Sequence, residues 1–265
     1  MNKFLMLLSD ELRRAKGFYL VLLAFAVVGE LAALILALVK QFQYDPTGLN
    51  SKVDLITVLN QSMLTVLVIG GVVLAMIVYS IYTWLREWRL EGAYIYRLLS
   101  LPGSRMAVYM AKLFSILLMI AGLLLVQVLM LPLINLIGSF FPRFFQVISW
   151  PQAWVHGLHL VYFLVPVGIT MGIYYYSAGI NFLVSLFNLC IIICSKKSHS
   201  WRKTLLIGGL YFTVFVLLQL AIVMTVVQMP LLQSESSCFF IVAQALMIAL
   251  NLAGAKYLMN NYISI

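Results

Sequence analysis

The sequence predicts an all-α integral membrane protein with six transmembrane helices. Two observations carry this prediction. Hydrophobic residues make up 64% of the 265 residues and charged residues only 9%, against roughly 45–50% and about 25% in soluble globular proteins. The apolar residues also form runs of the length that a hydrocarbon core requires, about 20 helical residues. This composition excludes a soluble enzyme, and the charges are too sparse for a nucleic-acid-binding surface.

Five of the six spans are clear from uninterrupted apolar runs, and the fourth is expected from the charge pattern. Lys and Arg are retained on the cytoplasmic side of a membrane. With both termini cytoplasmic, all of the 17 cations lie inside except Lys40, Lys52 and Arg143. An odd number of crossings must then separate Leu131 from Lys196, and one crossing is the most economical. The expected spans, within a single transmembrane domain covering 1–265, are 18–39, 63–85, 106–131, 172–194, 205–228 and 239–259.

Two segments near the fourth span are expected at the outer membrane surface. Residues 158–171 form either an interfacial or re-entrant helix broken at Pro166, or part of one long tilted helix kinked there. Residues 138–154 hold four Phe around Arg143, which is too apolar for a solvated loop and too short for a span. That segment either anchors the protein in the outer interface or guides an amphipathic substrate outward.

Two cytoplasmic segments are predicted to be amphipathic helices. Residues 3–17 place apolar side chains at helical spacing and charged ones, Glu11 among them, on the opposite side, as in a helix lying along the inner interface. A solvated basic leader is the other interpretation. Between the second and third spans, a helix over about 87–101 is expected to end at Pro102-Gly103. A connection that only reversed the chain would be shorter and more polar.

The second of these segments resembles the corresponding part of type-2 ABC transporter permeases. The matching residues are Glu87, Glu91-Gly92, Leu98-Leu99, Leu101-Pro102, Ser104-Arg105 and Lys112. The resemblance implies that 87–101 is a coupling helix docking on a separate ATPase subunit and that 3–17 is an interfacial elbow helix. Two features depart from the family: Ala93 stands where Thr is frequent, and the Met229–Cys238 connection is too short to hold the re-entrant helices usually found there.

The resemblance implies a transport subunit in a bacterial plasma membrane. The chain has no phosphate-binding loop, so it is not expected to be an enzyme, and ATP and Mg²⁺ would be bound by the partner. The expected partners are two copies of a cytoplasmic ABC ATPase, a second permease copy or paralogue, and membrane lipid. The expected cargo is exported and is hydrophobic or amphipathic, such as a peptide, antibiotic or lipid. The docking residues expected on this basis are Glu87, Glu91, Tyr94, Arg97, Leu98 and Leu99.

The alternatives are a secondary transporter or channel without an ATPase and, with less support, an intramembrane enzyme. A secondary transporter usually has coupling acids deep in its spans, and only Glu30 lies there. An enzyme would need a site such as zinc bound by His156 and His159, but no nearby Asp, Glu or Cys completes that ligand set. No metal site is therefore expected.

A few polar residues inside the spans are candidates for the translocation path. Glu30 is costly to expose to lipid, at about 3 kcal/mol, so it either contacts protein or substrate or reaches toward the outer headgroups. Asn181 and Asn188 are seven residues apart, as are Gln244 and Asn251, so each pair shares one helix face. These amides either join helices by hydrogen bonds or line the path.

Overall fold

The protein is described by a computed structural model covering residues 3–44, 53–54, 62–90, 104–142, 144–146, 169–194, 201–228 and 233–261. Within these ranges, six helices are long and apolar enough to cross a membrane. The prediction of a helical fold with six candidate membrane-spanning helices is confirmed. The helices are α1 (Lys3–Tyr44), α2 (Met63–Leu85), α3 (Met106–Ser139), α4 (Ile169–Cys194), α5 (Trp201–Gln228) and α6 (Gln233–Asn261).

Three shorter features accompany the helices. A π-helical turn, Arg86–Leu90, follows directly on α2. Two strands of two residues each, β1 (Val53–Asp54) and β2 (Phe145–Gln146), pair in parallel, with Val53 opposite Phe145. The rest of the predicted coupling helix, residues 91–101, lies outside the described residues, as do residues 158–168.

Every helix except α2 extends beyond its expected span at one or both ends, and two of these extensions exceed six residues. The expected third span stops before Pro132, but α3 continues through this proline to Ser139; proline is tolerated in membrane helices because neighbouring groups satisfy the freed carbonyl. Residues 3–17 are helical but continuous with the first span in α1. No helix end separates an elbow from that span, so a distinct elbow helix is not confirmed.

The described helices group into two compact units. The first comprises Met1–Leu12, Ile77–Ile116 and Ile169–Ile265, and therefore contains the whole of α4, α5 and α6. The second comprises Arg13–Met76 and Leu117–Gly168. Each of α1, α2 and α3 contributes to both units.

The core of the second unit is built from small and medium apolar residues of α1 and α3 together with one aromatic residue. Ala33, Leu34 and Ala37 of α1 pack with Met130 and Ile134 of α3 and with Phe145 of β2. The outer aromatic segment thus divides: Phe144 and Phe145 pack on this core, whereas Phe140 is exposed. From hydrophobicity we expected all four Phe at the outer interface, because hydrophobicity does not distinguish a protein core from lipid.

Close approach of α1 and α2 in the second unit requires glycine at position 29. A Cβ atom added there would lie 2.8 Å from both γ-methyl carbons of Val68. These methyls belong to a stiff β-branched side chain and cannot move away easily. Small residues at such positions allow membrane helices to pack closely.

Substituting this glycine should therefore destabilise the second unit. We expect Gly29→Ala to cost about 1–3 kcal/mol through overpacking, measured by thermal unfolding in detergent. Gly70→Ala is the matched control, because a Cβ at Gly70 meets no heavy atom within 4 Å. Equal melting temperatures for the two variants would contradict the tight α1–α2 contact.

Candidate functional site: a buried ion cluster and a polar ladder

Four charged residues of the first unit form a buried group, here called the Lys112 cluster: Glu11, Arg86, Glu87 and Lys112. The Nζ atom of Lys112 lies 2.7 Å from Oε1 of Glu11 and 2.7 Å from Oε1 of Glu87. Nη2 of Arg86 lies 3.7 Å from Oε2 of Glu11. The two cations balance the two carboxylates, which is the condition under which charges can be buried.

Burial of the cluster is nearly complete. Lys112 is 1% exposed, Glu87 0% and Glu11 7%. Lysine and glutamate are almost never buried to this degree unless they are paired. Each charge therefore depends on its neighbours in the cluster and has little access to water.

Aromatic side chains surround the cationic side of the cluster. Lys112 Nζ lies 5.6 Å from the ring centroid of Trp84, and the Arg86 guanidinium lies 5.9 Å from that of Tyr82. Both are cation–π distances. Trp84 in turn packs edge-on against Phe187 of α4 and near Tyr109 of α3. This apolar wall excludes water and so strengthens the ion pairs.

Local geometry explains how three segments reach the same point. Glu11 lies on the third turn of α1, and Lys112 on the second turn of α3. Tyr109 and Lys112 are three residues apart and share a helix face, so both point into the first unit. Arg86 and Glu87 belong to the π-helical turn after α2; such turns are rare and frequently occur at functional sites.

The cluster changes the interpretation of two acidic residues. Glu87 was expected to dock on a partner, but its side chain is fully buried and bound to Lys112, so it presents no exposed carboxylate. Glu11 was expected on the polar side of residues 3–17, but it points into the protein. A helical projection shows only which residues share a face, and it does not show that a buried cation compensates an acid.

The other five predicted docking residues, Glu91, Tyr94, Arg97, Leu98 and Leu99, lie outside the described residues. The same is true of His156 and His159. In the part of the chain that the structure describes, no group of three or more His, Cys, Asp or Glu side chains has an arrangement that could hold a metal ion.

A polar ladder joins α4 and α6 within the first unit. It consists of three residue pairs, each separated by 63 positions in the sequence. The Tyr174 hydroxyl donates to Oγ of Ser237 at 2.9 Å. Asn181 Nδ2 donates to the backbone oxygen and to Oε1 of Gln244, at 3.1 and 2.5 Å. The third rung joins Asn188 to Asn251.

In this third rung, Asn188 Nδ2 donates to the backbone oxygen of Asn251 at 2.9 Å. Successive rungs are seven residues apart on both helices. The constant offset means that α4 and α6 run in parallel and in register. Because seven residues are about two helical turns, the rungs stay on the same face of each helix.

Helix α5 adds polar side chains to the second and third rungs, Asn181–Gln244 and Asn188–Asn251. The Tyr211 hydroxyl donates to Oδ1 of Asn251 at 2.7 Å and accepts from Asn188 at 3.2 Å. Gln219 and Gln244 exchange hydrogen bonds of 3.3 and 2.9 Å. Tyr211 thus lies beside the later residue of α6 and Gln219 beside the earlier one, so α5 runs antiparallel to α6.

The four predicted path residues of this unit are all ladder members. Asn181, Asn188, Gln244 and Asn251 are buried, and each hydrogen-bonds to another helix. Hydrogen bonds between helices were one of the two interpretations of these amides, and a role in the translocation path stays a prediction. The heptad spacing was visible in the sequence, whereas the partners from α5 were not.

Glu30, in the second unit, is also engaged by a neighbouring helix. It is 7% exposed and accepts a hydrogen bond from Nε2 of Gln127 in α3. It therefore faces protein and does not extend toward the headgroups. A hydrogen-bonded partner lowers the cost of holding such a group inside a span.

Comparison with known proteins adds no relative to this description. No protein-family model, curated protein or solved structure matches the chain. The resemblance to type-2 ABC permeases accordingly depends on the residues of the connection between α2 and α3 and on the number of spans.

Removing the central cation should destabilise the first unit. We expect Lys112→Met to cost about 3–5 kcal/mol, because it leaves two buried carboxylates with Arg86 as the one remaining cation of the cluster. Thermal unfolding of the detergent-solubilised chain measures this loss. Lys256→Met, which removes an exposed cation of α6, should unfold at the parent temperature; a similar drop for both variants would argue against a special role for the cluster.

Disrupting the ladder should have a smaller effect. We expect Asn251→Leu to cost about 0.6–2 kcal/mol, the range for hydrogen bonds between membrane helices, since Tyr211 loses its acceptor. Asn260→Leu, on the exposed end of the same helix, serves as the control in the same melting assay. No measurable difference between them would mean that the ladder does not contribute to packing stability.

Proposed function

We propose that this chain is the transmembrane permease subunit of an ATP-driven ABC exporter in a bacterial plasma membrane. In this proposal both termini are cytoplasmic, and the chain pairs with a second permease copy or a paralogue. Two copies of a separate ABC ATPase supply the energy. The cargo is hydrophobic or amphipathic, of the peptide, antibiotic or lipid class, and it leaves from the cytoplasm or the membrane.

The observation that carries the proposal is the contact between Glu87 and Lys112. Both belong to the set of residues by which the connection resembles those of type-2 permeases, and they lie 25 positions apart. Their 2.7 Å contact joins the start of the connection to the second turn of α3. The six apolar helices and the absence of a phosphate-binding loop support the same assignment.

Transport in this proposal follows from movement delivered at the connection. Closure of the ATPase dimer would displace the segment after Glu87, and the helices attached to its ends would follow. Rocking of two permease halves in this way opens a path alternately to the two sides. Of the docking residues expected from the resemblance, Glu91, Tyr94, Arg97, Leu98 and Leu99 keep that role in the proposal, and Glu87 holds the base of the segment.

The secondary-transporter alternative depends mainly on Glu30. Ion-coupled transporters use acids deep in their spans to bind the coupling ion. In this chain the carboxylate of Glu30 already accepts a hydrogen bond from Gln127 between α1 and α3. Packing between helices explains its presence, so the ATP-driven proposal is favoured.

Purification from native membranes tests the proposed function. A tagged permease should retain an ATPase subunit in mild detergent, and Leu98→Ala should weaken that association by roughly 30-fold, which corresponds to about 2 kcal/mol for an interface hot spot. The amount of ATPase per permease gives the readout, with Lys256→Ala as the control that retains the partner.

Two results would contradict the proposal. One is a parent complex that contains no ATPase. The other is uphill transport by the chain alone, reconstituted in vesicles with an ion gradient and without nucleotide, which would favour the secondary transporter.

A further inference from the structure

The start of the connection between α2 and α3 is joined to α1 through Lys112, and its end hydrogen-bonds to α6. At the start of the connection, Glu87 binds Lys112, which also binds Glu11 of α1. At its end, Nη1 of Arg105 donates a hydrogen bond of 3.2 Å to the backbone oxygen of Met259 in α6. All of these residues belong to the first unit.

The contacts at the two ends of the connection differ in chemistry. Arg105 reaches a carbonyl in the last turn of α6, where the helix leaves carbonyls without intrahelical partners and a cation is favourable. Lys112 instead sits between two carboxylates at equal distances of 2.7 Å. Its bonds to Glu11 and Glu87 thus join the start of α1 and the start of the connection to the same side chain of α3.

Lys112 makes the shortest of the ion pairs that hold Glu11. Arg86 approaches Glu11 only to 3.7 Å, which is longer than a charge-assisted hydrogen bond. Without the Lys112 ammonium, the Glu11 and Glu87 carboxylates would be two like charges in one buried site. Lys112 therefore makes the closer of these two charged contacts to the start of α1.

We propose that Lys112 is a positioning residue that links the start of α1 to the connection between α2 and α3, so that movement of the connection is transmitted to α1. The source of that movement, an ATPase partner, rests on the proposed function. The link itself does not depend on it. The two ideas can consequently be tested separately.

Cross-linking in the purified chain tests the link alone. Phe4 of α1 and Phe114 of α3 pack edge-on with ring centroids 5.7 Å apart, so Phe4→Cys and Phe114→Cys should react with a short bifunctional thiol reagent. Cys190, Cys194 and Cys238 are first replaced by Ala. Cross-linking then reports whether the start of α1 stays against α3.

Two isosteric variants provide the matched comparison. Glu11→Gln removes the carboxylate that Lys112 uses to hold α1, so the cross-linked fraction should fall clearly. Glu87→Gln has the same chemistry in the same cluster but leaves the Lys112–Glu11 pair in place, so the cross-link should persist. Lys112→Met should lose it, and Lys256→Met should match the parent.

The link would be disproved by either of two outcomes. One is a Glu11→Gln variant that cross-links as efficiently as the parent, and the other is a Glu87→Gln variant that loses the cross-link as completely as Glu11→Gln. The second outcome would indicate general loosening of the unit. Both conservative variants keep the side-chain volume, so the comparison does not depend on Lys112→Met folding.

A second measurement examines transmission in the ATPase complex. Leu5 is 52% exposed on α1, so a thiol-reactive dye should label Leu5→Cys. In the parent complex, addition of ATP and Mg²⁺ should change the labelling rate. In the Glu11→Gln complex the ATPase should still co-purify, but the change should be absent; a change equal to the parent's would overturn transmission through Glu11 and Lys112.

These readouts separate the two proposals. If the parent preparation contains no ATPase, the proposed function is disproved, and the cross-linking comparison still tests whether Lys112 links α1 to the connection. Conversely, if the ATPase co-purifies but the cross-link is insensitive to Glu11→Gln, the proposed function stands and the link is disproved.

Discussion

Compensation of one buried ammonium group determines the arrangement of much of the first unit. Lys112 is almost inaccessible, and a charge in that position is tolerated only when opposite charges lie at hydrogen-bonding distance. Glu11 and Glu87 meet this requirement from two segments far apart in sequence. The start of α1, the turn after α2 and the start of α3 must therefore converge, and the aromatic wall around Trp84 follows from the same need to exclude water.

The ladder between α4 and α6 solves a related problem with neutral groups. Inside a membrane a polar side chain without a partner is costly, and three pairs at a constant offset satisfy one another only when the helices are parallel and in register. Tyr211 and Gln219 of α5 add hydrogen bonds to Asn251 and Gln244 in two of these pairs. Hydrogen bonds between helices thus specify register, while apolar packing supplies most of the contact.

The second unit relies on close packing more than on polar contacts. Gly29 lets α1 approach Val68 of α2, and alanines of α1 form one side of the core. The buried acid Glu30 joins α1 to α3 through Gln127. Ion pairs thus join helices in the first unit, amide hydrogen bonds occur in both units, and close packing at Gly29 adds to them in the second.

The sequence by itself determined the class of the protein and the helices, because hydropathy is a local property: α2 has the predicted limits, 63–85, and α4 ends at the predicted Cys194. It also revealed that Asn181 and Asn188 share a face with heptad spacing. Tertiary structure decided which polar groups meet. Glu11, expected on a polar surface, binds Lys112, and Glu87, expected to dock on a partner, binds the same cation. Phe145, expected at the interface, packs in a core. Such pairings join residues that are distant in the chain, and their energies depend on burial and distance, which no local pattern records.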